Sequence, residues 1–132
     1  MSQIIRTRTA EIWIDEDDIV HTRFPDPNTN GAINDAIAHW EIWTQLFRHP
    51  KNLLLFDLKN LRSVTRESRE FYKQEMISER VLAGAMIADS YFSLIIGNLF
   101  INFTRPPYPA CLFTEEDAAI AWLKSVRDSE EN

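Results

Sequence analysis

The sequence predicts an α/β domain with a mostly parallel sheet of four to five strands, an N-terminal antiparallel hairpin, and helices packed on the sheet. Three observations predict this fold. Two short strand patterns lie close together near the start, a continuous apolar run follows the first helical pattern, and strand and helix patterns then alternate to the end. We expect a single domain over residues 1–132, because 132 residues is an ordinary size for one domain.

The hairpin is predicted from two apolar segments, Glu11–Ile14 and Ile19–Phe24, with the polar turn Asp15–Asp18 between them. Pro25 and Pro27 should end the second strand, because proline cannot donate a hydrogen bond to the ladder. The acidic turn lacks the alternating ligand spacing and the central glycine of a calcium loop. We therefore interpret it as a solvated turn.

A first helix is predicted where apolar residues recur at helical spacing between Ile33 and Phe47, with Thr29 or Asn30 as its N-cap. The next segment, Leu53–Phe56, is apolar without alternation. Such a run is typical of a strand that is buried on both faces, as in a parallel sheet. A βα pattern of this kind places the strand near the centre of the fold.

A loop is predicted over residues 57–64, and Thr65 follows it as a good N-cap with Ser68 at the N3 position. The second helix should run to about Ser78. We expect this helix to bury three residues, namely Phe71, Tyr72 and Met76.

A third helix is predicted from Phe92 to about Phe103, after the strand Val81–Ala88 and a cap at Asp89 or Ser90. This helix is apolar nearly all round, so it is either deeply buried or covered by a partner. We expect it to contribute to a homodimer. The interface residues that we assign to it are Leu94, Asn98, Phe100 and Ile101.

The last unit is the strand Ala110–Phe113 followed by a helix that begins near Thr114. Cys111 lies within this strand between apolar residues, which favours a packed side chain over a nucleophile. It is the only cysteine, so no internal disulfide can form, and this suits a cytoplasmic protein. No apolar run follows the first ten residues as a signal peptide would require.

The composition and motifs disfavour several functions. The net charge is -6, and an acidic chain repels nucleic-acid backbones and anionic lipid surfaces. The three glycines are far apart, so no phosphate-binding loop is expected. Three separated histidines and one cysteine do not make a metal site. We expect no cofactor, no metal and no catalytic residues, and hence no enzyme, with a small enzyme of unrecognised chemistry as the third hypothesis.

A basic cluster stands out around the start of the second helix. Arg66 and Arg69 are three residues apart and therefore share a helix face. This cluster could hold an anion or an acidic partner, or it could be a surface neutralised by Asp57, Glu67 and Glu70. The partner-binding residues that we assign here are Lys59, Arg62, Thr65, Arg66, Ser68 and Arg69.

The segment Phe56–Arg69 has a pattern of a buried strand, Asp57-Leu58, Leu61, Val64-Thr65 and a helix. It resembles the segment after the central strand of STAS domains, the family of anti-sigma-factor antagonists and sulfate-transporter tails. The ending Leu112–Ala118 with Ala121-Trp122-Leu123 is similar to that of uncharacterised bacterial STAS-like proteins. The resemblance covers nearly the full chain and implies the STAS fold.

The resemblance also bears on regulation. In the antagonists a partner kinase phosphorylates a serine at the start of the helix after the central strand. The corresponding position here is Arg66 or Glu67, and only a register shift would bring Thr65 or Ser68 to it. A phosphate there would add negative charge next to Arg66 and Arg69.

The function expected from the sequence is therefore that of a non-catalytic, cytoplasmic interaction or regulatory module of STAS type, which binds an unidentified protein partner. The alternative is a domain that binds a small molecule, either a lipid or an anionic ligand, beside the connector Arg105–Pro109.

Overall fold

The protein is described by a computed structural model that covers residues 3–131; residues 1, 2 and 132 of the expected domain lie outside the described residues. The strands are β1 (Ile5–Arg6), β2 (Glu11–Ile14), β3 (Ile19–Arg23), β4 (Thr29–Gly31), β5 (Asn52–Asp57), β6 (Leu61–Val64), β7 (Val81–Ile87) and β8 (Ala110–Phe113). The helices are α1 (Ile33–Leu46), α2 (Arg66–Phe71), α3 (Glu75–Ser78), α4 (Tyr91–Leu99) and α5 (Glu116–Glu131), and a π-helical turn (Phe100–Thr104) continues α4.

The main sheet has six strands in the order β1-β2-β3-β5-β7-β8. The first three strands pair antiparallel, and the pairs β3–β5, β5–β7 and β7–β8 are parallel. This confirms the predicted α/β class with its N-terminal antiparallel hairpin. The sheet has one strand more than expected, because Ile5–Arg6 adds an edge strand whose two residues are too few to show a pattern in the sequence.

A separate two-stranded parallel sheet joins β4 to β6. This pairing corrects two predictions, since residues 61–64 of the expected loop are a strand and Thr29 and Asn30 lie in a strand instead of capping α1. The N-cap of α1 is Ala32, whose N–H donates to the carboxylate of Asp35 at 2.9 Å. Both strands are short and lack an alternating apolar pattern, and their pairing is non-local, so the sequence pattern gave no sign of them.

Strand β5 is buried on both faces, as its continuous apolar run predicted. Leu53 and Leu55 pack with Leu123 of α5 in one core cluster. Leu54 packs with Trp43 of α1 and Ile96 of α4 in the other. The sheet therefore has α5 on one face and the remaining helices on the opposite face, and any site on the second face is built from α1, α2 and α4.

The second predicted helix is interrupted between Phe71 and Glu75, because Gln74 adopts an extended conformation as the N-cap of α3. The interruption changes which side chains face the core. Ile77 is fully buried, whereas Met76, which we expected in the core, is 42% exposed.

Helix α4 lies close to β8 at Gly97, where a Cβ atom would come within 2.7 Å of Leu112 Cδ1. Its N-cap is Ser90, one of the two residues predicted, and the Ser90 hydroxyl accepts a hydrogen bond from the N–H of Ser93. The helix ends in the π-helical turn, after which Arg105 takes a left-handed conformation with φ of 53°. Across residues 3–131, no helix is long and apolar enough to span a bilayer.

The buried indole of Trp43 donates a hydrogen bond from Nε1 to Thr22 Oγ1 at 2.9 Å, and both residues are at most 1% exposed. We expect Thr22→Val to lower the free energy of unfolding by about 1–3 kcal/mol, because it leaves the Nε1–H buried without an acceptor. Urea unfolding would measure this change.

The matched control is Thr44→Val. The Thr44 hydroxyl donates to the carbonyl of Glu41 on the exposed side of α1. The control substitution should change the free energy of unfolding by no more than about 0.5 kcal/mol. Equal stabilities for the two variants would show that the buried hydrogen bond contributes nothing.

Candidate functional site

The loop before β6 and strand β6 itself lie against the start of α4. The guanidinium of Arg62 lies over the ring of Phe92, with Cζ 4.9 Å from the ring centroid. The hydroxyl of Ser90 donates to the backbone carbonyl of Lys59 at 3.3 Å. The predicted basic segment and the predicted apolar helix are therefore two halves of one continuous surface.

The apolar half of this surface is the outward face of α4 and the π-helical turn. Tyr91 and Phe103 are 75% and 78% exposed, and Phe92, Leu94 and Ile95 are also exposed. Single exposed apolar residues are ordinary on proteins, but a group of five on one element is a candidate binding patch. We name the patch together with Lys59, Arg62 and Arg66 the basic–apolar surface.

The four residues predicted for an interface on this helix divide into two pairs. Leu94 and Asn98 are exposed, and the Asn98 side chain donates to the carbonyl of Leu94 at 2.9 Å. Phe100 and Ile101 are only partly exposed because they pack against the core. Sequence reasoning missed Tyr91 and Ile95, because a helix that is apolar on all sides does not indicate which side faces outward.

The basic half of the surface is only loosely paired. Lys59 Nζ lies 3.6 Å from Asp57 Oδ2, and Arg66 Nε lies 3.8 Å from Glu70 Oε1 with its side chain 85% exposed. Ion pairs this exposed contribute little and exchange readily. The positive charges therefore remain available to an approaching anion.

The hydroxyl residues at the start of α2 serve the backbone. Thr65 caps the helix and its Oγ1 accepts from the N–H of Ser68 at 3.2 Å, as predicted. Ser68 is only 3% exposed. It therefore does not lie on the outer surface with Arg66, as we had expected of a partner-binding residue, and a kinase could not reach it without local rearrangement.

Arg69 is only partly exposed, whereas Arg66 is exposed. Its Nη1 donates to the carbonyl of Val64 at 3.1 Å, and its Nε is buried and has no hydrogen-bond partner in the described residues. Arg66 and Arg69 therefore differ in environment despite their helical spacing. Arg66 belongs to the basic–apolar surface, and Arg69 lines a cavity beneath it.

The cavity has a volume of about 70 Å³ and lies between the sheet, α1, α2 and α4. Most of its lining is apolar, with Leu54, Phe56 and Met86 from the sheet and Ile96 and Phe100 from α4 and its π-helical turn. Its polar lining residues are Asp35, His39, Ser68, Arg69, Tyr72 and Tyr108. A mostly apolar cavity with a few polar groups is the usual form of a small-molecule site.

The polar groups of the cavity form a short chain of hydrogen bonds. Tyr108 donates its hydroxyl to the carbonyl of Tyr72 at 3.1 Å, and the Tyr72 hydroxyl lies 3.2 Å from His39 Nδ1. His39 Nε2 is buried without a partner in the described residues. Burial lowers the pKa of His39 to about 4 against the pull of Asp35, so the imidazole is neutral near pH 7.

Asp35 is the anion of the cavity wall, and its charge is already compensated. Arg8 donates to its two carboxylate oxygens from Nε at 3.0 Å and from Nη2 at 2.7 Å. Burial alone would raise the pKa of Asp35, but the hydrogen bonds from Arg8 and Ala32 outweigh it and hold the pKa below its usual value. Arg69 therefore remains the cavity residue whose charge has no counter-ion among residues 3–131.

Sequence reasoning did not single out the three side chains that form these hydrogen bonds, namely His39, Tyr72 and Tyr108. His39 gave a usable signal, since it is a lone histidine on the apolar stripe of α1. Tyr72 was expected in the core but only as a packing residue. Tyr108 lies in a proline-rich connector, where nothing in the pattern indicates that its hydroxyl reaches Tyr72.

The remaining titratable groups form no metal centre. Within residues 3–131, no group of three or more histidine, cysteine, aspartate or glutamate side chains could hold a metal ion. The acidic turn Asp15–Asp18 is used internally, since Asp15 Oδ1 accepts from the N–H groups of Asp17 and Ile19. Asp17 in turn pairs with Lys124 at 2.9 Å.

The architecture is that of the SpoIIAA-like fold, which STAS domains share. The crystal structure at 2.25 Å resolution of an uncharacterized protein of the DUF3478 family from Shewanella loihica PV-4, described with a SpoIIAA-like fold, is similar to it with a TM-score of 0.57. The two share 13% sequence identity over 93% of this chain and 92% of that chain, so the likeness confirms the fold alone.

Residues 12–127 match the model of the family described as Domain of unknown function (DUF7793), and the chain belongs to that family. No curated protein matches the chain.

The low pKa of His39 makes a prediction about acid stability. The pKa of His39 is 6.5 in the unfolded chain and about 4 in the folded protein. Between these two values the unfolded chain binds a proton at His39 that the folded protein does not bind. Stability must therefore fall as the pH drops through this window, by about 3 kcal/mol from His39 alone. Urea unfolding across the window should show this loss.

The comparison variant is His39→Phe, which keeps a ring of similar size and removes the titrating group. Its stability should depend less steeply on pH between pH 6.5 and about pH 4 than that of the wild type. Parallel pH profiles for the two proteins would contradict a neutral, buried His39.

Proposed function

We propose that this chain is a non-catalytic interaction module whose basic–apolar surface binds a protein segment that carries both acidic and apolar side chains. The observation that carries the proposal is the contact between Arg62 and Phe92, which joins a cation of β6 to the apolar face of α4. The SpoIIAA-like fold, whose STAS relatives act as interaction modules, supports the same class of function.

The chemistry of the surface favours a protein segment over other partners. Its centre is aliphatic and aromatic, with Tyr91, Leu94 and Ile95, and its edge carries Lys59 and Arg62. Acidic side chains on a partner would meet this edge, and apolar ones would cover the centre. The net charge of -6 opposes nucleic acid, because the rest of the chain repels a phosphate backbone.

A non-catalytic role is supported by the chemistry of the buried groups. Two titratable residues at the cavity, His39 and Asp35, are held by the Tyr72 phenol and by Arg8, and no serine, threonine or cysteine side chain is hydrogen-bonded to either of them in the described residues. Cys111 is half-buried in β8. The module acts as the single domain expected over residues 1–132, and a cytoplasmic setting suits its one free cysteine.

A second copy of the chain is the second candidate for the same surface, and it corresponds to the expected homodimer. A two-fold interface is isologous, so it places each patch against itself. Cations near the two-fold axis, such as Arg62 if it lay there, would face the same cations of the other copy, which disfavours close pairing. Tyr91 and Phe103 are largely exposed and could pack against a second copy, so a dimer is an alternative outcome of the test.

The test uses affinity capture from extract of the source cells with the full, tagged chain. Leu94→Ser should remove an apolar contact at the centre and Arg62→Glu should reverse an edge charge. Each should weaken capture of the same protein, by at least tenfold for a residue that contributes about 1.4 kcal/mol or more. Capture by the wild type should also weaken as salt is raised.

Two controls match these variants in exposure and chemistry. Met76→Ser removes a side chain of similar exposure to Leu94 from α3, and Arg48→Glu reverses an exposed arginine that pairs with Asp18. Both should capture the protein as the wild type does. Loss of capture in the controls as well, or retention in the Leu94 and Arg62 variants, would contradict the proposed surface.

Light scattering on the same proteins separates the homodimer from the hetero-partner. A wild-type dimer that Leu94→Ser converts to a monomer would assign the surface to self-association. A wild-type monomer that captures a protein would exclude self-association at this surface.

A further inference from the structure

The cavity beneath the basic–apolar surface has unsatisfied hydrogen-bond donors on its wall. The first is the Nε–H of Arg69, which is buried without a partner in the described residues. The second belongs to the pair of His39 and Tyr72. That pair holds two protons, one on the neutral imidazole and one on the phenol, but forms only one hydrogen bond between its members. One donor is therefore left over in either histidine tautomer.

The acceptors of the cavity wall do not compensate these donors. The carboxylate of Asp35 accepts from Arg8 and from the N–H of Ala32, and the carbonyl of Tyr72 accepts from Tyr108. Buried donors without acceptors are costly, on the order of 1–3 kcal/mol each. A molecule that brings only acceptors would therefore be favoured in this cavity over one that brings donors.

The positive charge of Arg69 on the cavity wall favours an acceptor that is negatively charged. Arg69 carries a positive charge without a counter-ion in the described residues, and only its Nη1 is used, by the carbonyl of Val64. The Nε and Nη2 edge of an arginine fits the two oxygens of a carboxylate. A buried carboxylate is tolerated when it is paired and hydrogen-bonded in this way.

The size and lining of the cavity limit the rest of the ligand. The walls beyond Arg69 are apolar, with Leu54, Met86 and Ile96 among them. The centres of the ligand's atoms must fit within about 70 Å³, which restricts the ligand to a short chain. The tail of the ligand must therefore be short and apolar.

We propose that this cavity is a binding site for a short-chain aliphatic carboxylate, with its carboxylate on Arg69 and its hydrocarbon tail between the sheet and α4. The site is separate from the basic–apolar surface, because Arg69 and the cavity lining lie beneath the residues that the proposed partner would touch. It therefore adds a small-molecule ligand to the proposed interaction module.

The experiment is isothermal titration calorimetry of the full chain with hexanoate, compared with hexanol and hexylamine. Hexanoate should bind saturably at roughly millimolar concentration. Hexanol should bind at least about tenfold more weakly because a neutral hydroxyl forms neither an ion pair nor a two-oxygen contact with Arg69, and hexylamine should not bind. Equal binding of hexanol and hexanoate, or no saturable binding of hexanoate, would overturn the proposal.

The length of the chain distinguishes the cavity from simple adsorption on the exposed face of α4. Affinity should rise from acetate to hexanoate and should rise no further at decanoate, because the cavity is full. Adsorption on an apolar surface would continue to strengthen with each added methylene. A continued rise to decanoate would therefore contradict binding in the cavity.

Variants of the chain then locate the carboxylate. Arg69→Met keeps an unbranched apolar stem but removes the cation, and it should weaken hexanoate binding by at least about tenfold. Arg66→Met is the matched control, since it removes the same charge from an exposed position one turn earlier and should leave the affinity unchanged. Equal effects of the two variants would show a diffuse charge effect and overturn the assignment.

A second variant tests the cavity independently of Arg69. The Cβ of Gly84→Ala would lie 3.5 Å from the ring of Tyr108, which is an ordinary van der Waals distance. The added methyl group should therefore occupy part of the cavity without a clash. It should weaken hexanoate binding and leave the thermal unfolding temperature near that of the wild type. Unchanged hexanoate affinity in a folded Gly84→Ala protein would place the ligand outside the cavity.

Discussion

The burial of strand β5 on both of its faces is the constraint on which the rest of this structure depends. Because successive side chains of a strand point to opposite faces, Leu53 and Leu55 require cover from α5, while Leu54 requires cover from α1 and α4. Helices must then pack on both sides of the sheet. The cavity lies on the side where three helices of different length meet, and there the packing leaves space between Leu54 and the π-helical turn.

The close approach of α4 to β8 determines which side chains of α4 are exposed to solvent. Gly97 has no side chain, so the helix lies on Leu112 with little separation. The inward face of α4 is then filled by Ser93 and Ile96, and its other apolar residues have no core left to enter. Tyr91, Ile95 and their neighbours therefore remain exposed. An exposed apolar face of this kind follows from the packing of a helix that is apolar on more faces than the core can cover.

The sequence predicted those parts of the molecule whose pattern is local. The hairpin, the doubly buried strand and the Thr65 and Ser90 caps each depend on residues within a few positions, and the structure confirms them. The pairing of β4 with β6 depends on contacts between segments more than thirty residues apart, and neither strand has an apolar period of its own. The buried donor of His39 was also beyond prediction, because its lack of a partner depends on where other segments place their acceptors.

The two arginines of α2 show why spacing alone could not define the candidate site. Arg66 and Arg69 share a helical face by sequence, yet Arg66 extends into solvent and Arg69 turns back to the carbonyl of Val64. Arg69 reaches the carbonyl of Val64, the residue just before the N-cap Thr65, whereas the partner of Arg66 is Glu70 on the exposed side of the helix. Arg66 therefore presents its charge to solvent, while the charge of Arg69 lies at the cavity without a counter-ion among residues 3–131. A ligand held by Arg69 would pack against α2 and α4, the elements that carry the outer surface, so the two proposed sites share the same structural support.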